Sequence, residues 1–146
     1  MSERVVAIQS SQLSRLREWM PIIIWAAVIF TFSTSGFSAD STGRIISPIL
    51  KWLFPGIGLT SLDLANGLIR KAAHFTEYGI LFWLLIRGPM KGRPLLAMAL
   101  CVAYALTDEG HQLFVVGRTA SIYDVALDST GAMFGGFLLA AIGEIL

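Results

Sequence analysis

The residues able to do chemistry in this chain are clustered. Lys71, His74, Glu77 and Tyr78 fall in one short segment, Asp108, Glu109 and Gln112 in a second, and Arg118, Asp124 and Asp128 in a third, all within otherwise apolar sequence. An ionisable side chain at membrane depth costs roughly 2.5 to 3.5 kcal/mol on insertion scales, so keeping several there calls for a compensating use. Asp108 or Glu109 is a candidate general acid or base, and His74 and Glu77 are candidates to orient a metal or a proton. Lys71 and Arg118 are candidates to grip a phosphate, and Tyr78, Gln112, Asp124 and Asp128 complete the candidate ligand-binding set.

Helical spacing can bring these groups to one place. At about 100° per residue, Lys71, His74 and Tyr78 lie within about 60° of one another, with Glu77 about 60° beyond His74. Asp108, Glu109 and Gln112 span about 100° of a second helix, with His111 on the other side of Asp108. Asp124 and Asp128 share a stripe with Gly131 and Gly135, carboxylates above and a close helix contact below. Five carboxylates, Glu77, Asp108, Glu109, Asp124 and Asp128, then face Lys71 and Arg118, an excess of three negative charges that protonating both His74 and His111 would not cancel. Like charges at low dielectric cannot all persist. Either some carboxylates stay protonated, which suits general acid work or proton relay, or a cation occupies the site. His74-x-x-Glu77 and Asp108-x-x-His111 are spaced as paired ligands for a divalent metal. Three readings stay open at this point: polar glue between helices, a catalytic or ligand-binding pocket, and a metal site.

The elements that must position these groups are membrane-like. Hydrophobic residues make up 55% of the 146 and charged residues 14%, with a mean hydropathy of +0.68, well above a soluble domain of this length. A formal net charge of +1 gives no field directed at nucleic acid. The single cysteine, Cys101, sits in an apolar run and reads as a small buried hydrophobe. There is no Walker loop, Gly-x-Ser-x-Gly elbow or His-Glu-x-x-His. The expected fold is all-α and polytopic, with four transmembrane helices and an interfacial or re-entrant segment between the first and second. Residues 1–17 form a cytoplasmic tail and 18–146 a single membrane domain.

The first helix is expected over about 18 to 35, with Pro21 in its first turn. A cleaved signal peptide ending near Ser33 is disfavoured by the poor small-x-small pattern and the membrane-like remainder. Residues 38 to 60 are too broken by Gly43, Pro48, Pro55, Gly56 and Gly58 for a span of ~20 residues, yet too apolar for an ordinary loop. Ser61 is expected to cap the second helix, which runs to Arg87; the third runs from Pro94 to about Phe114, and the fourth from about Ile122 to Ile145. The tail and the 87–93 loop hold six Lys or Arg against five elsewhere. Two of those five, Lys71 and Arg118, belong to the polar cluster, so both termini are expected in the cytoplasm and the cluster at the outer face. Gly131-x-x-x-Gly135 is expected to pack within the chain rather than to dimerise.

Four pieces occur in order: Arg70-Lys-Ala-Ala-His-Phe-Thr-Glu-Tyr78; Tyr104 with Asp108-Glu-Gly-His-Gln112; Gly117-Arg-Thr with Ser121 and Asp124; and Asp128 with Gly131. Together with Phe32-Ser-Thr-Ser-Gly36 they resemble the VanZ-like family of bacterial membrane proteins, over about residues 20 to 140. The position of Asp128 is commonly Asn in that family, so the fifth carboxylate is a departure. The resemblance implies an association with resistance to teicoplanin and related lipoglycopeptides, which act outside the cytoplasmic membrane, and it implies no known reaction. The function expected is a role in envelope physiology or in glycopeptide resistance, through binding of a lipid-linked cell-wall precursor or a lipophilic antibiotic in an extracytoplasmic pocket, with membrane lipids as partners. The alternative is an intramembrane enzyme, with or without a divalent metal, acting on a lipid-linked substrate. Proton or cation movement is disfavoured, because the inner halves of the helices carry almost no polar path.

Overall fold

Nothing between residues 2 and 20 is Gly or Pro, and the chain opens with one long helix, α1 (Ser2–Ser33), that runs straight through the expected tail. Pro21 therefore lies inside this helix rather than in its first turn, where it removes a single backbone donor. The computed structural model describes residues 2–37 and 39–143. A 3-10 turn, Ser35–Phe37, ends α1, and the broken segment folds as a helix of its own, α2 (Ala39–Leu53), with Pro48 inside it. α3 spans Leu59–Arg87, α4 Pro94–Gln112 and α5 Ile122–Ala141. Among the described residues these five helices are the regular structure, without a strand.

Helix boundaries differ from expectation where capping competes. α3 begins before Ser61: the Leu62 amide already donates to the Gly58 carbonyl at 3.0 Å, so Gly58 holds the cap position. α4 starts at Pro94 as expected but stops at Gln112, and the chain turns through Gly117, whose φ of 79° is a left-handed value that glycine tolerates. The side chain of Ser121 accepts from the Tyr123 amide and caps α5. Ile145, the expected end of that helix, lies outside the described residues.

α3 is the central helix, packed most extensively against α5 and touching α1, α2 and α4. Its crossing with α5 is a backbone contact. A Cβ on Gly135 would come within 2.7 Å of the Gly79 carbonyl oxygen, and one on Gly131 would run into the Phe75 carbonyl. The Gly131-x-x-x-Gly135 pair therefore packs within the chain, as expected. Ala97, Cys101 and Ala105, one turn apart on α4, lie fully buried in the apolar core with Leu81, Phe82 and Leu85 of α3. α1 buries Ile22, Ile29 and Ser33 along one stripe. It is tied on by the Trp25 indole, which donates to the Glu77 carbonyl at 2.9 Å, and by the Tyr104 hydroxyl, which donates to the Ala26 carbonyl at 2.6 Å.

The outside of the molecule is apolar. Leu95, Phe114, Tyr123 and Phe137 are all exposed. On α2 the small residues Gly43 and Ser47 turn toward the bundle, whereas Ile45, Ile49, Trp52 and Leu53 are exposed on the outward side, the reverse of a helix built to face water. By length and composition, Gln12–Ser33 is the one described helical stretch long and apolar enough to cross a membrane. α3, α4 and α5 miss that measure for a physical reason: Arg70, Lys71 and Glu77, Asp108 and Glu109, and Asp124 and Asp128 interrupt them.

Candidate functional site

One end of the bundle gathers the polar residues, because α1 and α4 finish there, α5 begins there, and α3 passes through it. A cavity of about 250 Å³ opens between α3, α5 and the α4–α5 connection, lined by Lys71, His74, Glu109, Gln112, Arg118 and Asp124. Six of the ten candidate residues thus share one wall. Glu77 lines a neighbouring groove, and Tyr78, Asp108 and Asp128 are buried, Asp128 completely.

Each lining group is held from more than one element. Lys71 Nζ lies 3.4 Å from Asp124 Oδ1, joining α3 to the first turn of α5. Glu109 bridges α4 to the same turn: its Oε2 accepts from the Ser121 amide at 2.8 Å and its Oε1 from Gln112 Nε2 at 3.1 Å. Arg118 Nη2 donates to the carbonyl oxygens of Phe32, Thr34 and Phe37, so this guanidinium caps the C-terminal end of α1. Burial, with Arg70 close by, holds its pKa below the usual value, but a guanidinium remains a cation throughout.

Beneath the cavity the packing is polar and sparsely bonded. His74 Nδ1 stands 3.7 Å from Asp128 Oδ1 and 4.0 Å from Glu77 Oε2, distances of an ion pair rather than a hydrogen bond. Both Asp128 oxygens, Glu77 Oε2, Asp108 Oδ1, the Tyr78 hydroxyl and Arg118 Nε are buried without a hydrogen-bond partner among the described residues. The second oxygen of Asp108 faces Gln112 Nε2 at 3.5 Å. Such a layer can hold or pass a proton between acids and imidazole. It can equally be satisfied by the polar end of something bound.

One expectation needs correction. His111 turns away from the acids and packs its ring on Phe30 of α1, with centroids 4.5 Å apart, so the Asp108–His111 pair does not form. Nor do three His, Cys, Asp or Glu side chains converge as a metal-binding group among the described residues. Of the two spaced pairs, His74 and Glu77 do stand 4.0 Å apart, whereas His111 leaves Asp108 for Phe30.

Other residues enter that the sequence reading left aside. Arg70 lines both the cavity and the neighbouring groove. It stands one turn before His74, about 40° around the helix, and that spacing is the signal that would have found it. Gly67, Gly117 and Thr119 complete part of the lining. Ser33 reaches Asp108 from a different helix, a proximity that no spacing within one helix announces.

Neither the curated proteins nor the solved structures supply a match to this chain. The model of the VanZ/LLP1 family does match, over residues 19–143, a stretch that begins at Trp19 in α1 and takes in every residue of the polar site. The chain therefore belongs to the VanZ/LLP1 family.

Proposed function

We propose that this protein is a multi-pass protein of the cytoplasmic membrane whose polar cavity faces outward and binds a lipid-linked or lipophilic ligand, thereby altering sensitivity to lipoglycopeptides such as teicoplanin. The observation that carries the reading is the cavity walled by Lys71, His74, Glu109, Gln112, Arg118 and Asp124, set in a molecule whose outside is apolar. The VanZ family is generally membrane-associated. α4, the shortest of the four long helices at 19 residues, is ~28 Å long, close to the hydrocarbon thickness of a bilayer. α3 and α5 can tolerate their polar groups in that setting because Lys71 pairs with Asp124 at the solvent-open end and buried Asp128 faces His74. On this reading α2, with its outward apolar side, lies at the interface.

Orientation is tested at Val116, an exposed residue of the α4–α5 connection. Val116→Cys reacts with a membrane-impermeant thiol reagent in intact cells, and buried Cys101 supplies no background. Protection until lysis would place the cavity in the cytosol and end the outward-facing reading. For function, Asp124→Asn and Glu109→Gln at equal membrane levels are expected to shift teicoplanin sensitivity toward that of cells lacking the protein.

The enzymatic reading keeps one specific support, the unpartnered oxygens of Asp108, Glu77 and Asp128 beside His74. Its form is an acid–base reaction on a lipid-linked substrate at the cavity floor. Asp108→Asn that retains ligand binding but abolishes turnover would support it, whereas equal binding with no turnover in either protein removes it.

A further inference from the structure

Two cavities, not one, meet at the polar end. The groove beside the polar cavity holds about 190 Å³ and runs between the end of α1, α2 and α3, lined by Phe32, Phe37, Ile46, Ile69 and Ala73 among others. Arg70, His74 and Arg118 belong to both. Small-molecule sites typically exceed roughly 300 Å³. Neither space reaches that size alone, whereas together they do.

The charges at the junction are unequally committed. Arg118 is taken up by the carbonyls of Phe32, Thr34 and Phe37. Lys71 faces Asp124, and Glu109 is engaged by Ser121 and Gln112. Arg70 has no ion-pair partner among the described residues. Glu77 is seven residues further along α3, ~10 Å deeper, away from the mouth where Arg70 stands. Arg118 has no ion pair either, but its Nη2 is hydrogen-bonded, so among the described residues Arg70 is the junction cation with neither an ion pair nor a hydrogen bond, next to a largely apolar slot that Glu77 also lines.

Building on the ligand-binding reading above, we propose that the ligand is an anionic amphiphile carrying a phosphate headgroup, with the phosphate on Arg70 and its hydrocarbon in the groove between α2 and α3. A bidentate guanidinium–phosphate contact supplies the selection for charge, and the slot supplies the selection for a chain. The polar cavity behind Arg70 leaves room for whatever the phosphate carries.

The experiment uses the full-length protein in detergent and compares three probes: dioleoyl phosphatidic acid, dioleoyl phosphatidylcholine and inorganic phosphate. Phosphatidic acid is expected to bind about tenfold more tightly than phosphatidylcholine, the scale of one charge-assisted contact. Arg70→Gln removes that preference, Arg70→Lys restores part of it, and Lys91→Gln, a cation on neither cavity, leaves it unchanged. Ile46→Trp, which fills the slot, weakens both lipids and leaves thermal unfolding unchanged. Preference retained in Arg70→Gln overturns the proposal, and so does inorganic phosphate competing as well as the lipid. Equal binding of both lipids overturns the anionic headgroup while the lipophilic-ligand reading stands. No lipid bound by any variant or by the wild type overturns both.

Discussion

The two halves of the α3–α5 pair are built on opposite principles. From Phe75 to Phe82 the helices touch through backbone, with Gly79, Gly131, Gly135 and Gly136 clearing the way. One turn toward the polar end, Lys71 and His74 hold α5 off through Asp124 and Asp128, and a cavity opens. The close half sets the angle and register at which the open half must meet. That is how a chain of this size can hold buried acids opposite a histidine without a wide, floppy gap: rigidity comes from contacts that carry no chemistry.

If this division is right, the largest losses come from the half without polar residues. Gly131→Ala is expected to cost about 3 kcal/mol, because its Cβ collides with the Phe75 backbone, which cannot yield as a side chain would. Gly110→Ala, with open space around the site of its Cβ, is expected to be neutral or stabilising by about 0.5 kcal/mol. Thermal unfolding of the two in the same detergent checks the contrast, and a Gly131→Ala protein as stable as Gly110→Ala would break it.

Arg118→Ala comes next, at about 2 kcal/mol, since several carbonyls at the end of α1 lose a charged donor together. Arg118→Lys should recover less than half of this, because an ammonium cannot reproduce the guanidinium fork. Proteolysis near residues 33–37 reads the loosening directly. Ser121→Ala should cost about 1 kcal/mol through the lost cap of α5, with the Glu109 contact retained because the backbone amide supplies it.

The smallest stability effect is expected where ligand effects are expected to be large. Lys71→Gln should change unfolding by less than about 1 kcal/mol, since its ion pair with Asp124 is open to solvent. A double-mutant cycle with Asp124→Asn measures that coupling. Coupling above about 2 kcal/mol would mean that the open half is also a structural clamp, and the comparison would need redrawing.

Much of this was legible beforehand where a property belongs to one helix. The clustering of Lys71, His74 and Tyr78, the stripe of Asp124, Asp128, Gly131 and Gly135, and the breaks at Gly88 to Pro94 all follow from period and punctuation. The segment after Ser33 was legible as neither loop nor span, and α2 is what that meant. Ser61 misled because a capping residue is a preference, and Gly58 with the Leu62 amide starts the turn earlier. Pro21 misled because one missing donor does not end a helix in which no preceding residue is Gly or Pro.

What depends on meetings between helices was not legible. Residue types and their order determined an all-helical, apolar chain whose buried acids gather at one end, because hydropathy and helical period act along a single segment. Only the tertiary structure decided that Arg118 serves the end of α1, that His111 leaves the acids for Phe30, and that Arg70 lies between two cavities without an ion-pair partner among the described residues. The reason is geometric: the direction a side chain takes is set by the rotation and tilt of its helix against its neighbours. Here those are fixed by the Gly79, Gly131 and Gly135 backbone contact, some two turns away from the chemistry.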